Sequence, residues 1–189
     1  MNPNAMAAPI YRLRIELLGS EPLIWRRLLV PADIKLPRLH RCLQVTFGWE
    51  NYHLHAFESG SARFGPRDPE LQDIGMEDER RVRLDQLMDE ARREMNYEYD
   101  FGDGWEHRIV LEQVEVANEW AHYPLCTAGE RACPPEDVGG VHGYADFVAS
   151  LHDPRHEAHV DNLRWIGGVF DPEGFDLNAV NSAMRRARL

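Results

Sequence analysis

The 189-residue sequence predicts an α+β fold: a mainly antiparallel sheet covered by helices, with a helical C-terminal third. Three observations carry that prediction. Apolar and polar residues alternate with period two in several segments before residue 116. Two pairs of these segments flank turns rich in Gly, Pro and acids, the signature of antiparallel hairpins. From residue 143 onward the apolar residues fall at helical spacing instead. The length suits one sizeable core, so the expected organisation is a flexible tail over residues 1–9 and a single domain over 10–189.

Ile10–Leu18 alternates cleanly, with Tyr11, Leu13, Ile15 and Leu17 on one face. Gly19 to Pro22 is a turn, and Leu23–Val30 is the partner strand, on which Arg26 and Arg27 are expected to be solvated. The period then changes: Leu36, Leu39, Leu43 and Phe47 mark a helix over 36–47 that Gly48 caps, with Cys42 as a buried thiol. Trp49–Glu58 returns to strand alternation, with His53, His55 and Phe57 on one face. Residues 60–78 form an irregular loop with a short strand at Ala62–Gly65. Residues 77–81 read as a solvated charge run, 82–84 as a short strand and 85–94 as a helix. Tyr97, Tyr99 and Phe101 precede the turn Gly102-Asp103-Gly104, and Trp105, His107, Ile109 and Leu111 resume the alternation to about residue 116. Asn118–Gly140 shows no periodicity and reads as one long loop stiffened by Pro134 and Pro135. Helices follow at 143–152, at 155–166 with Val160, Leu163 and Ile166 inward, and after the cap Asp176 with Leu177, Val180 and Met184 inward.

Charge and cysteine content narrow the function. A formal net charge of -11 disfavours DNA contact through a broad basic surface, leaving only a local basic face from Arg26, Arg27, Arg38, Arg41 and the terminal arginines. Three cysteines make no disulfide framework, which points to the reducing cytoplasm. The N-terminus lacks a signal-peptide pattern, and no apolar run reaches membrane-spanning length.

The chemistry gathers at the mouth of the hairpin. Its metal-ligand candidates are His53, His55, Asp103 and His107, within a wider set that adds Asp100, Cys133, Glu136 and Asp137. Imidazole with carboxylate suits a divalent metal such as zinc, manganese or iron. Trp49, Tyr52, Trp105 and Tyr144 are expected to be exposed aromatics that would line a peptide or small-ligand pocket beside it. Turn chemistry is the competing reading for Asp100 and Asp103, whose carboxylates accept from nearby backbone N–H groups. Asp100-Phe101-Gly102 lacks the other kinase motifs, and Gly102-Asp103-Gly104 is no phosphate loop. A Cys133 nucleophile paired with His107 or His142 has no arguable oxyanion donor.

Five strings, in order, carry a family likeness: I-W-R-R-L, W-E-N-Y-H-L-H-A-F, Y-E-Y-D-F-G-D-G-W-E-H, G-E-R-A-C-P-P-E-D-V-G-G-V-H-G-Y and F-D-P-E-G-F-D-L-N-A-V-N. With them the chain resembles the plasmid ORF-three-like (PRiA-type) family, also described as insertion-element passenger TnpR proteins, over roughly residues 10–182. The resemblance implies an α+β domain from a bacterial or archaeal mobile-element setting, in a family with no established activity. A resolvase is not implied, because Ser20, Ser59, Ser61, Ser150 and Ser182 lack a recombinase's arginine setting. The leading expectation is a non-enzymatic binding or accessory module for a protein partner or peptide. The alternatives are a metal-dependent hydrolase using His53, His55, Asp100, Asp103 and His107, and a nucleic-acid-associated factor.

Overall fold

The computed structural model describes residues 8–73 and 75–189, so most of the expected tail lies outside the described residues. Eight strands form one sheet in the order β5-β4-β3-β6-β7-β1-β2-β8. They are β1 (Ile10–Leu17), β2 (Ile24–Pro31), β3 (His55–Ser59), β4 (Ala62–Gly65), β5 (Glu77–Asp78), β6 (Glu94–Tyr99), β7 (Trp105–Glu115) and β8 (Leu125–Glu130). Every neighbouring pair is antiparallel except β4 with β5. The helices are α1 (Leu36–Phe47), α2 (Pro69–Asp73), α3 (Leu84–Leu87), α4 (Gly140–His152), α5 (His159–Trp165) and α6 (Leu177–Arg186). No helix among the described residues is long and apolar enough to cross a membrane.

Alternation sets which face of the sheet is buried. Leu13, Ile15 and Leu17 of β1, Ile24, Leu28 and Val30 of β2, and Ile109 and Leu111 of β7 point inward. Against them α1 lays Leu36, Leu39, Leu43 and Phe47, and α6 adds Met184. Each such side chain removed from water contributes roughly 1.5–3 kcal/mol. The α1 boundaries match the expected ones: Pro37 sits in its first turn, and Gly48 ends it at φ +85°, a left-handed conformation suited to glycine. Asp176 caps α6 by accepting from the Ala179 N–H.

Several local expectations are corrected. The strand expected over 49–58 begins only at His55, because its partner β6 ends at Tyr99, which pairs with His55, and the chain then turns away. The helix expected over 85–94 stops after Leu87. There the Asp89 carboxylate accepts from the Ala91 and Arg92 N–H groups, a local turn that competes with helix propagation. Residues 82–84 make only an isolated bridge between Lys35 and Arg83, not a strand. The charge run at 77–81 contributes β5 and buries Glu79.

The segment expected to be a long loop holds β8, which extends the sheet beyond β2. Arg26 is therefore covered rather than solvated, while Arg27 pairs with Glu112 on the sheet surface. On its outer side β8 meets Asn181 of α6, which accepts from the Cys126 N–H (2.9 Å) and donates to the Cys126 carbonyl (2.8 Å). α5 also differs from expectation: Val160 and Leu163 are exposed. The face it turns to α4 is mixed, with Trp165 edge-to-face on Phe147 (5.5 Å) and a polar pair beside it. His159 Nδ1 lies 2.7 Å from the Ser150 carbonyl, and Asn162, three residues on, donates to the Ser150 hydroxyl.

Candidate functional site

The turn between β6 and β7 is built by Asp100. Its backbone is left-handed (φ +55°), its N–H donates to the Leu54 carbonyl (2.9 Å), and its carbonyl accepts from Gly104. One carboxylate oxygen accepts from the Gly102 N–H (2.9 Å), as turn chemistry requires. The other faces His53, at 3.6 Å from Nε2. Asp103 does different work. It accepts from the Gly139 N–H (3.0 Å) and so ties the 131–139 segment to the hairpin. Gly140 packs against the same turn so closely that a Cβ there would lie 2.5 Å from the Asp103 carbonyl oxygen.

That tie brings Glu136 and Asp137 over His53. His53 Nε2 lies 3.1 Å from Asp137 Oδ1 and 3.8 Å from Glu136 Oε2. The nitrogen is sealed from solvent yet has no hydrogen-bond partner of acceptable geometry. Glu136 is held from behind. The Tyr99 hydroxyl donates to it (3.0 Å) and accepts from the Tyr52 N–H (3.0 Å), and the Glu50 N–H donates to Glu136 Oε1 (2.7 Å). Burial, with the neighbouring Glu136, pushes the Tyr99 hydroxyl above its ordinary pKa, so it stays a donor. Asn51 (φ +61°), Asp100 and Asp137 (φ +57°) are all left-handed, a concentration of strained backbone around one spot. Ligand atoms of His53, Asp100 and Asp137 all lie within 4.8 Å of one another, a span one cation can bridge.

The other expected residues are elsewhere. His55 points into the interior, where Nε2 meets Glu79 (2.9 Å) and the ring stacks on His40 at 3.5 Å. His107 is fully buried against the edges of Phe47 and Trp49, and burial lowers its pKa to about 4. Burial, with His55 beside it, lowers His40 to about 3. Trp105 is a core residue, not an exposed one, and Trp49 is buried with its Nε1–H donating to the Pro134 carbonyl (3.1 Å). Tyr52 is exposed. Cys133 packs against the core, and burial pushes its thiol well above the ordinary value, which removes it as a nucleophile at neutral pH. Tyr144 lies apart, on α4, lining a separate cavity.

Of the cations expected to form a basic face, Arg38, Arg41 and Arg188 line one surface groove with Lys35 and Arg80. Arg26 and Arg27 are not among them. Sequence reasoning missed Glu79, Tyr99 and Asn51. Tyr99 carried a signal, since the alternation placed it inward where its hydroxyl needs a partner. Glu79 carried none.

Comparison with known proteins places this architecture among relatives. The family model for plasmid pRiA4b ORF-3-like proteins matches residues 9–179. A protein from Sinorhizobium fredii (strain NBRC 101917 / NGR234), described as uncharacterized protein y4hQ, is 40% identical over 181 residues, covering 95% of this chain and 92% of the relative. The crystal structure of a protein of unknown function, MM3350 from Methanosarcina mazei Go1, superimposes with a TM-score of 0.84 at 36% identity, covering 90% of this chain and 96% of that one.

Proposed function

The chain belongs to the plasmid pRiA4b ORF-3-like protein family, and because these relatives bring no described activity, the site itself must supply the reading: we propose that it binds one divalent cation at the hairpin mouth. The ligands are His53, Asp100 and Asp137. The observation that carries this reading is His53 Nε2, sealed from solvent, without a hydrogen bond and facing three carboxylates. Among the described residues no arginine or lysine pairs with Asp100, Glu136 or Asp137, so the His53 imidazole is the one nitrogen group facing them and a metal would add positive charge there. One imidazole with two carboxylates suits zinc, manganese or iron.

Three protein ligands leave room for water, so the chemistry such a cation would supply is activation of water for hydrolysis. Glu136, with one oxygen fixed by Tyr99 and the Glu50 N–H, is the carboxylate placed to take up a proton there.

Elemental mass spectrometry of tag-free protein purified without chelator tests the reading. Near-stoichiometric metal is expected, lost in His53→Ala and Asp137→Asn and retained in His107→Leu. No bound metal, with no thermal shift on adding zinc or manganese, would overturn it.

A second reading, an accessory module for a protein partner of the mobile-element machinery, is favoured by a different observation. Trp120 (85% exposed), Trp165 and Val169 are large apolar side chains open to solvent.

A further inference from the structure

We propose that the cavity between the β1–β2 turn, α4 and residues 171–173 binds a small apolar molecule carrying one carboxylate. The cavity is about 470 Å³, within the size range of small-molecule sites, and shares no residue with the hairpin mouth. Its walls are apolar: Ile24 and Pro22 from one side, Val141, Ala145 and Val148 from α4, and Pro172 opposite. Residues able to donate hydrogen bonds also line it, namely Arg131, Tyr144, His142 and His152.

Arg131 is the centre of the argument. Its backbone is left-handed (φ +70°), which a non-glycine residue keeps only where its surroundings enforce it. Here they do. The buried Arg26 guanidinium donates to the Arg131 carbonyl (2.7 Å) and also to the carbonyls of Glu130 (2.7 Å), Trp25 (2.8 Å) and Thr46 (3.2 Å). The next N–H, of Ala132, donates to the Pro172 carbonyl (3.1 Å). One of the four carbonyls that the buried Arg26 guanidinium holds is therefore that of Arg131, which fixes this arginine's backbone at the cavity.

The Arg131 guanidinium is itself only partly used. One terminal nitrogen bonds Glu173, leaving further N–H donors of the five a guanidinium carries. The pair is asymmetric: the Arg131 side chain is 23% exposed and that of Glu173 is 65% exposed. Arg131 is therefore the fixed member, and Glu173 is a carboxylate that can leave and be replaced by another. The Tyr144 hydroxyl makes no hydrogen bond among the described residues. Burial raises its pKa to about 12, which keeps it a donor at neutral pH. The acids at the rim act as competitors or turn groups: Glu173 occupies Arg131, Asp171 accepts from the Glu173 N–H, and Glu21 is exposed on the β1–β2 turn. A carboxylate on Arg131 with its apolar body between Val141 and Val148 satisfies both parts of the lining.

The test is calorimetric titration of the intact protein with three probes that share a skeleton and differ in charge: phenylpropionate, phenylpropanol and phenylpropylamine. The acid is expected to bind about tenfold tighter than the alcohol, with the amine weakest. Glu173→Gln removes the internal competitor and is expected to strengthen the acid several-fold. Arg131→Gln is expected to erase the preference for the acid while leaving alcohol binding intact. Val148→Trp, checked for folding by circular dichroism, is expected to abolish binding of all three, and His53→Ala to change none. Equal binding of the three probes, preference for the amine, weaker acid binding in Glu173→Gln, or no binding at millimolar concentration would each overturn the proposal.

Discussion

One residue separates His53 from His55, and the two imidazoles lie in regions of opposite character. His55 opens β3, across from Tyr99 of β6, and its ring is pressed between His40 and the carboxylate of Glu79 in the interior. His53 lies just before the strand, where β6 has already turned away at Asp100, and it meets three carboxylates near the surface. Inside the ladder, strand pairing decides where a side chain goes and which neighbours it has. Beyond the ladder, the turn and the 131–139 segment are free to aim oxygen atoms at a single nitrogen. One region uses histidine to complete a core, and the other uses it to face charge.

Substitutions can break that contrast or sharpen it. The largest effect is expected from His55→Ala, which takes from the buried Glu79 carboxyl its hydrogen-bond partner and from His40 its stacked ring. Denaturant unfolding should show a loss of about 3–5 kcal/mol, while metal content per folded molecule stays unchanged. Next comes pH. His40 and His107 are held near about 3 and about 4, below the ordinary value of roughly 6.5, so the unfolded chain binds protons first. The stability owed to their neutral forms is complete above about pH 6.5 and declines as the pH falls from there through 4 and 3. A thermal melt series should record a loss on the order of a few kcal/mol, and His107→Leu should flatten the upper part of the slope.

Gly140→Ala should cost about 1–3 kcal/mol, since the new Cβ meets the Asp103 carbonyl and φ is +69°. It should also reduce metal retention by loosening the clasp that carries Asp137. Tyr99→Phe should cost about 1 kcal/mol and weaken metal binding modestly through Glu136. Compared metal-free, His53→Ala should change stability by less than about 0.5 kcal/mol, while abolishing metal binding and the thermal shift that metal addition gives the unsubstituted protein. A stability loss in His53→Ala matching that of His55→Ala would erase the distinction between the two regions.

Much of the fold was legible because local periodicity and burial agree along β1, β2, α1, β7 and α6. The gaps have a common physical cause. β8 reads Leu-Cys-Thr-Ala-Gly-Glu, with only Cys126 buried, so its strand character comes from pairing with β2 rather than from its own pattern. Arg26 looked solvated because the element that covers it was not visible. α5 carries an apolar stripe, but His159, Asn162 and Trp165, not Val160 and Leu163, make its contact with α4. At the candidate site, the residue types and the three strings were legible, and their partition was not. Alternation put His53 and His55 on one face of one strand, whereas the end of β6 separates them. Asp103 and Asp100 looked equivalent in sequence, yet one clasps a loop and the other turns an oxygen toward His53.

The amide of Asn181 has a consequence for the molecule in a crowded solution. An open sheet normally exposes at its rim a row of backbone groups on which a foreign strand can crystallise, the first step toward fibrous aggregates. Here one rim presents Cys126 already engaged by a side chain that imitates an incoming strand. The opposite rim is two residues long, and both, Glu77 and Asp78, are acidic. Templated growth is thus obstructed by mimicry at one end and by brevity and charge at the other.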